Sequence, residues 1–224
     1  MTFALYQYPK QALFNRVLPK NKIYEHANPS PRIKELFVNQ VQQIVWSYKL
    51  SPETINLPAK PEAPEIQVFD IQLKTPELSE DVLRCIDKAI PLPIIFQLTY
   101  QNRLQVICAY KRPSEADASK WVVDQYVSSP WLTEEMQTRA KAAMPIALDM
   151  RGLYEQMLKE LMPIEARGCE SMKEQTERLA LLVSKQQAIA KLEAKLNAEK
   201  QFNRKVELNS QLKKLKAELA QINQ

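Results

Sequence analysis

The sequence predicts an α/β fold of the α+β kind, a small mixed sheet with flanking helices, followed by a long C-terminal coiled-coil helix. Three observations lead there. Short runs dense in β-formers, EIQVFDIQLK, LPIIFQLTY and RLQVICAYKR, occupy the middle of the chain. Capped, amphipathic stretches stand between and before them. Beyond Gly168 there is neither glycine nor proline, and the composition turns to Ala, Glu, Lys, Leu, Gln and Arg, all good helix formers. The expected organisation is a basic N-terminal arm at 1–30, a mixed α/β domain at 31–165 and a helical coiled-coil arm at 169–224.

The first 30 residues hold Pro9, Pro19 and Pro29 around the run YPKQALFNRVLPKNKIYEH. Proline keeps such a segment irregular, with no more than a turn of helix between Pro9 and Val17, so it is expected to wrap the domain or reach a partner. Ser30-Pro31 then opens a helix, serine as cap and proline at the first helical position. Ile33, Leu36, Phe37, Val41, Ile44 and Val45 recur at three and four, which predicts one apolar stripe, closed by Trp46 and Tyr48. After the proline-rich loop KLSPETINLPAKPEAP comes a strand in EIQVFDIQLK, then a helix from Ser79 to Ala89. LPIIFQLTY and RLQVICAYKR, joined through Gln101-Asn102, predict an antiparallel hairpin, which excludes an all-parallel sheet. WVVDQYVSSPW supplies a further strand, and a helix is expected over 144–162.

The arm would be ~80 Å long if it were one helix. Leu182, Ile189, Leu192 and Leu196 fit one heptad register, and Leu208, Leu212, Leu215, Leu219 and Ile222 fit a second. Leu196 and Leu212 are sixteen residues apart rather than fourteen, so the registers break within AEKQFNRKV. Either a stutter in a continuous helix or the bend of a helical hairpin explains the break. Continuity is the preferred reading, because a tight bend favours Gly or Pro and only Asn203 is at hand. A leucine seam of this length needs a partner helix, which implies a homodimer or a hetero-complex through the coiled coil.

Hydrophobic content of 45% beside 25% charged residues places the chain among folded rather than disordered proteins. Cys85, Cys108 and Cys169 are odd in number and widely spaced, which excludes a disulfide framework and suits a reducing cytoplasm, with packing as the role of the first two. No basic leader precedes an apolar stretch and no run reaches ~18 apolar residues, so neither export nor a membrane is expected. Charge is unevenly spread. Residues 1–60 hold eight Lys/Arg against three acids, 61–165 eleven against sixteen, and 166–224 twelve against seven, within a net +5. Basic ends around an acidic middle suit a nucleic-acid backbone or an acidic protein face.

Chemistry is narrowed by what is scarce. Two glycines, Gly152 and Gly168, exclude the glycine-rich phosphate loops. His26 is the only histidine, which leaves no Ser-His-Asp or Cys-His arrangement and no zinc set. One chemistry survives. Asp70, Gln72 and Lys74 alternate by two, so a strand would project them from one face, Asp70 to hold Mg²⁺ and Lys74 to steady a phosphate or water. The pattern resembles the (D/E/Q)xK strand of the PD-(D/E)XK nucleases, with Gln72 where an acid is usual and Glu35 as a further ligand. The competing reading is a half-exposed strand whose outer face is simply polar, with Phe69, Ile71 and Leu73 inside. For nucleic-acid binding without chemistry, Lys10, Arg16, Lys20 and Lys22 interleave with Tyr8, Phe14 and Tyr24, pairing phosphate partners with stacking rings. The alternative is that these aromatics pack on their own domain.

The stretches KIYEH, IVWSYKLSPETINL, EIQVFDIQLK, CIDKAIPLPIIFQL and EKQFNRKVELNSQLKKL together resemble an uncharacterised bacterial domain-of-unknown-function family. Its members are of similar length and stand beside DEAD/DEAH-box helicases and DNA methyltransferases in restriction-like, phage-defence loci. The resemblance implies a setting: a non-enzymatic accessory or adaptor subunit of an antiviral defence complex, with a helicase or DNA methyltransferase subunit as partner and DNA nearby. No catalytic residues carry over, and no cofactor is expected outside the Mg²⁺ of the nuclease alternative.

Overall fold

A computed structural model describes residues 5–117, 120–139 and 141–223 of the chain, which divides into two compact units, Met1–Glu165 and Ala166–Gln224. The first unit is a mixed α/β layer structure. In chain order it runs β1 (Leu5–Gln7), a 3-10 turn (Lys10–Ala12), β2 (Leu13–Val17), α1 (Lys20–Ala27), α2 (Pro31–Gln40), β3 (Val41–Leu50), α3 (Pro52–Ile55) and β4 (Ile66–Leu73). It continues with α4 (Glu80–Ala89), β5 (Ile94–Tyr100), β6 (Arg103–Pro113), β7 (Trp121–Ser128), α5 (Glu134–Arg139), β8 (Lys141–Ala143) and α6 (Met150–Lys159).

The main sheet has the order β2-β3-β4-β5-β6-β7. All neighbours are antiparallel except β4 and β5, which run parallel because α4 returns the chain between them. A separate parallel pair joins β1 to β8. On one face of the sheet, Ile44, Phe69, Ile71, Phe96 and Leu98 meet Ile23 of α1, Phe37 of α2 and Leu83 and Ile86 of α4, all of them 1% exposed or less. On the other, α6 lies against β6 and the Tyr154 ring stacks on Tyr110 at 6.3 Å.

The strand at 66–73, the helix capped by Ser79 and the β5–β6 hairpin stand where the residue pattern places them. Two segments of this unit differ. Residues 41–50 are strand β3 and not a continuation of α2. Two register shifts, between Val41 and Gln43 and between Trp46 and Tyr48, insert extra residues, so burial recurs about every third position and mimics a helical stripe. Within the expected N-terminal arm, β2 is an edge strand of the sheet, and Ile23 and Ala27 of α1 lie in the core, so residues 13–27 belong to the α/β unit. The last helix of the unit begins at Met150 rather than 144, because Asp149 caps it by accepting from the Gly152 amide at 2.8 Å.

The second unit is a helical hairpin, α7 (Met172–Ala198) and α8 (Phe202–Asn223), and the expected single continuous helix is not formed. The helices pack on each other in antiparallel sense, with ion pairs Lys185–Glu218 and Lys216–Glu193, the latter at 2.7 Å. The bend needs no left-handed residue: Glu199 is extended, and its Oε1 accepts from the Lys200 and Gln201 amides at 2.8 and 2.9 Å. A carboxylate thus satisfies the two amides just ahead of α8, a role the side chains of glycine and proline cannot fill. No helix among the described residues is long and apolar enough to cross a membrane.

Candidate functional site

The most unusual chemistry lies on the sheet face opposite α1, α2 and α4. Val45, Asp70, Gln97 and Val106 stand in register across β3, β4, β5 and β6. Ser47, beside the β3 bulge, turns its hydroxyl to donate to Asp70 Oδ2. Asp70 Oδ1 is buried without a hydrogen bond. The Tyr8 ring stacks on Tyr48 at 4.7 Å, and its buried hydroxyl lies beside the Gln97 amide with no hydrogen bond of ordinary geometry, close enough to Asp70 to feel its charge. Burial pushes the Asp70 carboxyl up, with the Ser47 hydroxyl opposing, and burial likewise raises the Tyr8 phenol. Of this group Asp70 was legible as a site residue, and Tyr8 only as a stacking ring of the N-terminal run. A Gln97 within the apolar run IIFQLTY was the available signal for the rest.

Gln72 lies one row further along the same face and is exposed, paired with Gln43 and Thr99. Lys74 departs from it. Strand β4 ends at Leu73, and the Lys74 ammonium donates to the Val38 carbonyl at 2.7 Å. Lys20 makes the companion contact, donating to the Phe37 carbonyl at 2.8 Å and to that of Val41. Two lysines thus satisfy carbonyls at the C-terminal end of α2, where the helix dipole favours positive charge. Burial and the nearby Lys74 lower the Lys20 ammonium. Glu35 is exposed on α2. Asp70, Gln72 and Lys74 therefore do not converge, and among the described residues no group of three or more His, Cys, Asp or Glu comes together. Asp70 supplies one carboxylate where Mg²⁺ takes an octahedral oxygen set.

The basic N-terminal residues are spread over separate elements. Lys10 is exposed in the 3-10 turn, Lys22 pairs with Glu25 at 2.9 Å, and Arg16 lies over the Phe14 ring at 4.6 Å. The interleaved rings are engaged within the unit: Phe14 on Trp46 at 4.4 Å, Tyr24 edge-on to Phe37 at 5.4 Å. On the hairpin, Leu182 and Ile189 are buried, while Leu192, Leu196, Leu208, Leu212, Leu215, Leu219 and Ile222 are only half-buried.

A family model described as Domain of unknown function (DUF4391) matches residues 7–219, which takes in the sheet and the hairpin alike. The chain belongs to the DUF4391 family. Neither curated proteins nor solved structures give a match.

This DUF4391 member also contains a buried charge cluster. Lys111, 1% exposed, donates to the Asp87 carbonyl at 2.7 Å, to Asp87 Oδ1 at 3.0 Å and to the Ile90 carbonyl. The Tyr126 hydroxyl donates to Asp87 Oδ2, and Arg84 lies over the Tyr126 ring at 5.2 Å. Burial pushes the Asp87 carboxyl up and the Lys111 ammonium down, while their mutual attraction and hydrogen bonds oppose both. All three ammonium protons are used, so the cluster fastens the end of α4 to β6 and β7 and leaves no group free to react.

Proposed function

We propose that this protein is a non-enzymatic accessory subunit of a cytoplasmic helicase- or methyltransferase-containing antiviral defence complex, docking through the α7–α8 hairpin. The observation that carries the reading is the half-buried seam. Seven of the nine seam residues, from Leu192 to Ile222, stay only half covered when the two helices pack on each other. Two helices bury one side of each seam, and a further helix or helix pair covers the remainder, as in a bundle. The enzymatic constellation gives less support, because Lys74 is held by Val38 and Asp70 lacks a second acid. The setting among helicases and methyltransferases comes from the family resemblance and is part of the proposal.

The test is co-expression of the full chain with the helicase and methyltransferase encoded beside it, followed by co-purification and light scattering. The expected result is a stoichiometric complex that is lost with Leu192→Glu/Leu212→Glu while circular dichroism stays unchanged. Retention of the complex by that variant, or a strictly monomeric chain that binds neither enzyme, refutes the docking role. Mg²⁺-dependent DNA cleavage abolished by Asp70→Ala would establish the nuclease alternative instead.

A further inference from the structure

We propose that the bend of the α7–α8 hairpin is a contact site for single-stranded nucleic acid, with Phe202 as a stacking ring and Lys195, Lys200 and Arg204 as phosphate partners. Of the half-buried seam residues only Leu208 lines the groove, and the site does not depend on the docking role. Phe202 is 77% exposed at the first position of α8, the largest apolar side chain so displayed among the described residues. Lys195, Lys200 and Arg204 line one open groove of about 640 Å³ at the same end of the hairpin. Lys195 and Lys200 enter no ion pair among the described residues. Arg204 is 70% exposed and approaches Glu199 only to 3.9 Å.

Two acids share the groove, Glu199 and Glu207. The Glu199 Oε1 accepts from the Lys200 and Gln201 amides, which engages that carboxylate within the bend. Phe202 is not among the residues that line this groove; its uncovered ring stands at the start of α8, two residues from Lys200 and two from Arg204 in the chain. That combination fits a polynucleotide strand: phosphates satisfy the charges, and an unpaired base stacks on the ring whatever its sequence. A duplex hides its base faces and would use only the cations. An anionic membrane would need a broader apolar face than Phe202 and its half-exposed neighbour Val206.

The experiment is fluorescence anisotropy of the full-length protein with labelled oligothymidylate, oligouridylate and duplex DNA across a salt series. The single strands are expected to bind more tightly than the duplex, with affinity falling as salt rises. Phe202→Ala should weaken single-strand binding by about tenfold and leave the salt slope unchanged. Lys195→Glu/Lys200→Glu/Arg204→Glu should abolish most binding and make the slope of log affinity against log salt shallower by about two. Preference between the DNA and RNA probes identifies the strand. Helical content by circular dichroism, unchanged in both variants, separates loss of contact from loss of fold. Equal affinity for all variants overturns the proposal, as does a loss confined to Lys10→Glu/Lys22→Glu, or binding to phosphatidylserine vesicles without binding to either strand.

Discussion

Lys111→Met tests how the first unit is held together. The ammonium is 1% exposed and gives its three protons to the Asp87 carbonyl, Asp87 Oδ1 and the Ile90 carbonyl. Methionine fills similar space without the charge, so the substitution isolates the electrostatics. Asp87, 4% exposed, would keep only the Tyr126 hydroxyl. Stranding one member of a buried ion pair costs about 3–5 kcal/mol. The Asp87 carbonyl, near the end of α4, would lose its side-chain donor at about 1 kcal/mol more. Ile90 keeps the Leu92 amide at 2.8 Å. A total of about 4–6 kcal/mol is a large part of the ~5–15 kcal/mol that holds a domain folded. With a urea slope of ~2 kcal/mol/M, the unfolding midpoint should fall by about 2–3 M. Trp46, Trp121 and Trp131 all lie in this unit, so tryptophan fluorescence in urea follows it alone. Asp87→Asn/Lys111→Met removes the stranded charge and should regain about 2 kcal/mol. A midpoint shift under about 0.5 M at unchanged slope, or a double variant no more stable than the single one, would refute the reasoning.

Asp70 has a folded value raised above its ordinary 3.8 by burial, so the stability it contributes is full below that pH and lost as pH rises through the folded value. Asp70→Asn should therefore raise the thermal midpoint at neutral pH and lose that advantage in acid, measured by calorimetry at both. Lys20→Met and Lys74→Met each remove a donor from the C-terminal end of α2 and should lower urea stability by about 1 kcal/mol, more for Lys20 because it is the less exposed. Glu170 is held at about 2 instead of 4.5 by the Arg178 side chain and the Arg167 amide. Its contribution is full above pH 4.5 and is lost as pH falls through about 2, so Glu170→Gln should flatten the acid dependence of helical circular dichroism in that window.

Within the candidate site, the sequence exposed Asp70 through its place in an alternating strand and missed its neighbours. Tyr8 and Ser47 come from distant segments, brought to Asp70 by β3 pairing and by the stacking of Tyr8 on Tyr48. Alternation also promised Lys74 on the same face, but strand β4 ends at Leu73 and the exposed Lys74 ammonium reaches the Val38 carbonyl near the end of α2. Of the aromatics interleaved with Lys10, Arg16, Lys20 and Lys22, Phe14 and Tyr24 pack on Trp46 and Phe37 within the unit.

What residue order alone determined is local. The capped helix at Glu80–Ala89, the β5–β6 hairpin, the strand through Asp70 and the helical character of Met172–Ala198 and Phe202–Asn223 follow from side-chain period, capping and the absence of breakers, all properties of a short stretch of chain. Tertiary structure decided the rest. It made residues 41–50 a strand, because the neighbouring β4 offers a full ladder and two bulges absorb the helix-like spacing of Val41 and Ile44. It drew β2 and α1 out of an apparent arm into the core, where Ile23 and Ala27 gain burial no local pattern records. It folded the arm at Glu199, because α8 covers part of the α7 seam at once and a carboxylate suffices to close the bend. In each case the free energy of long-range burial and pairing exceeds the tenths of a kcal/mol by which local propensities differ.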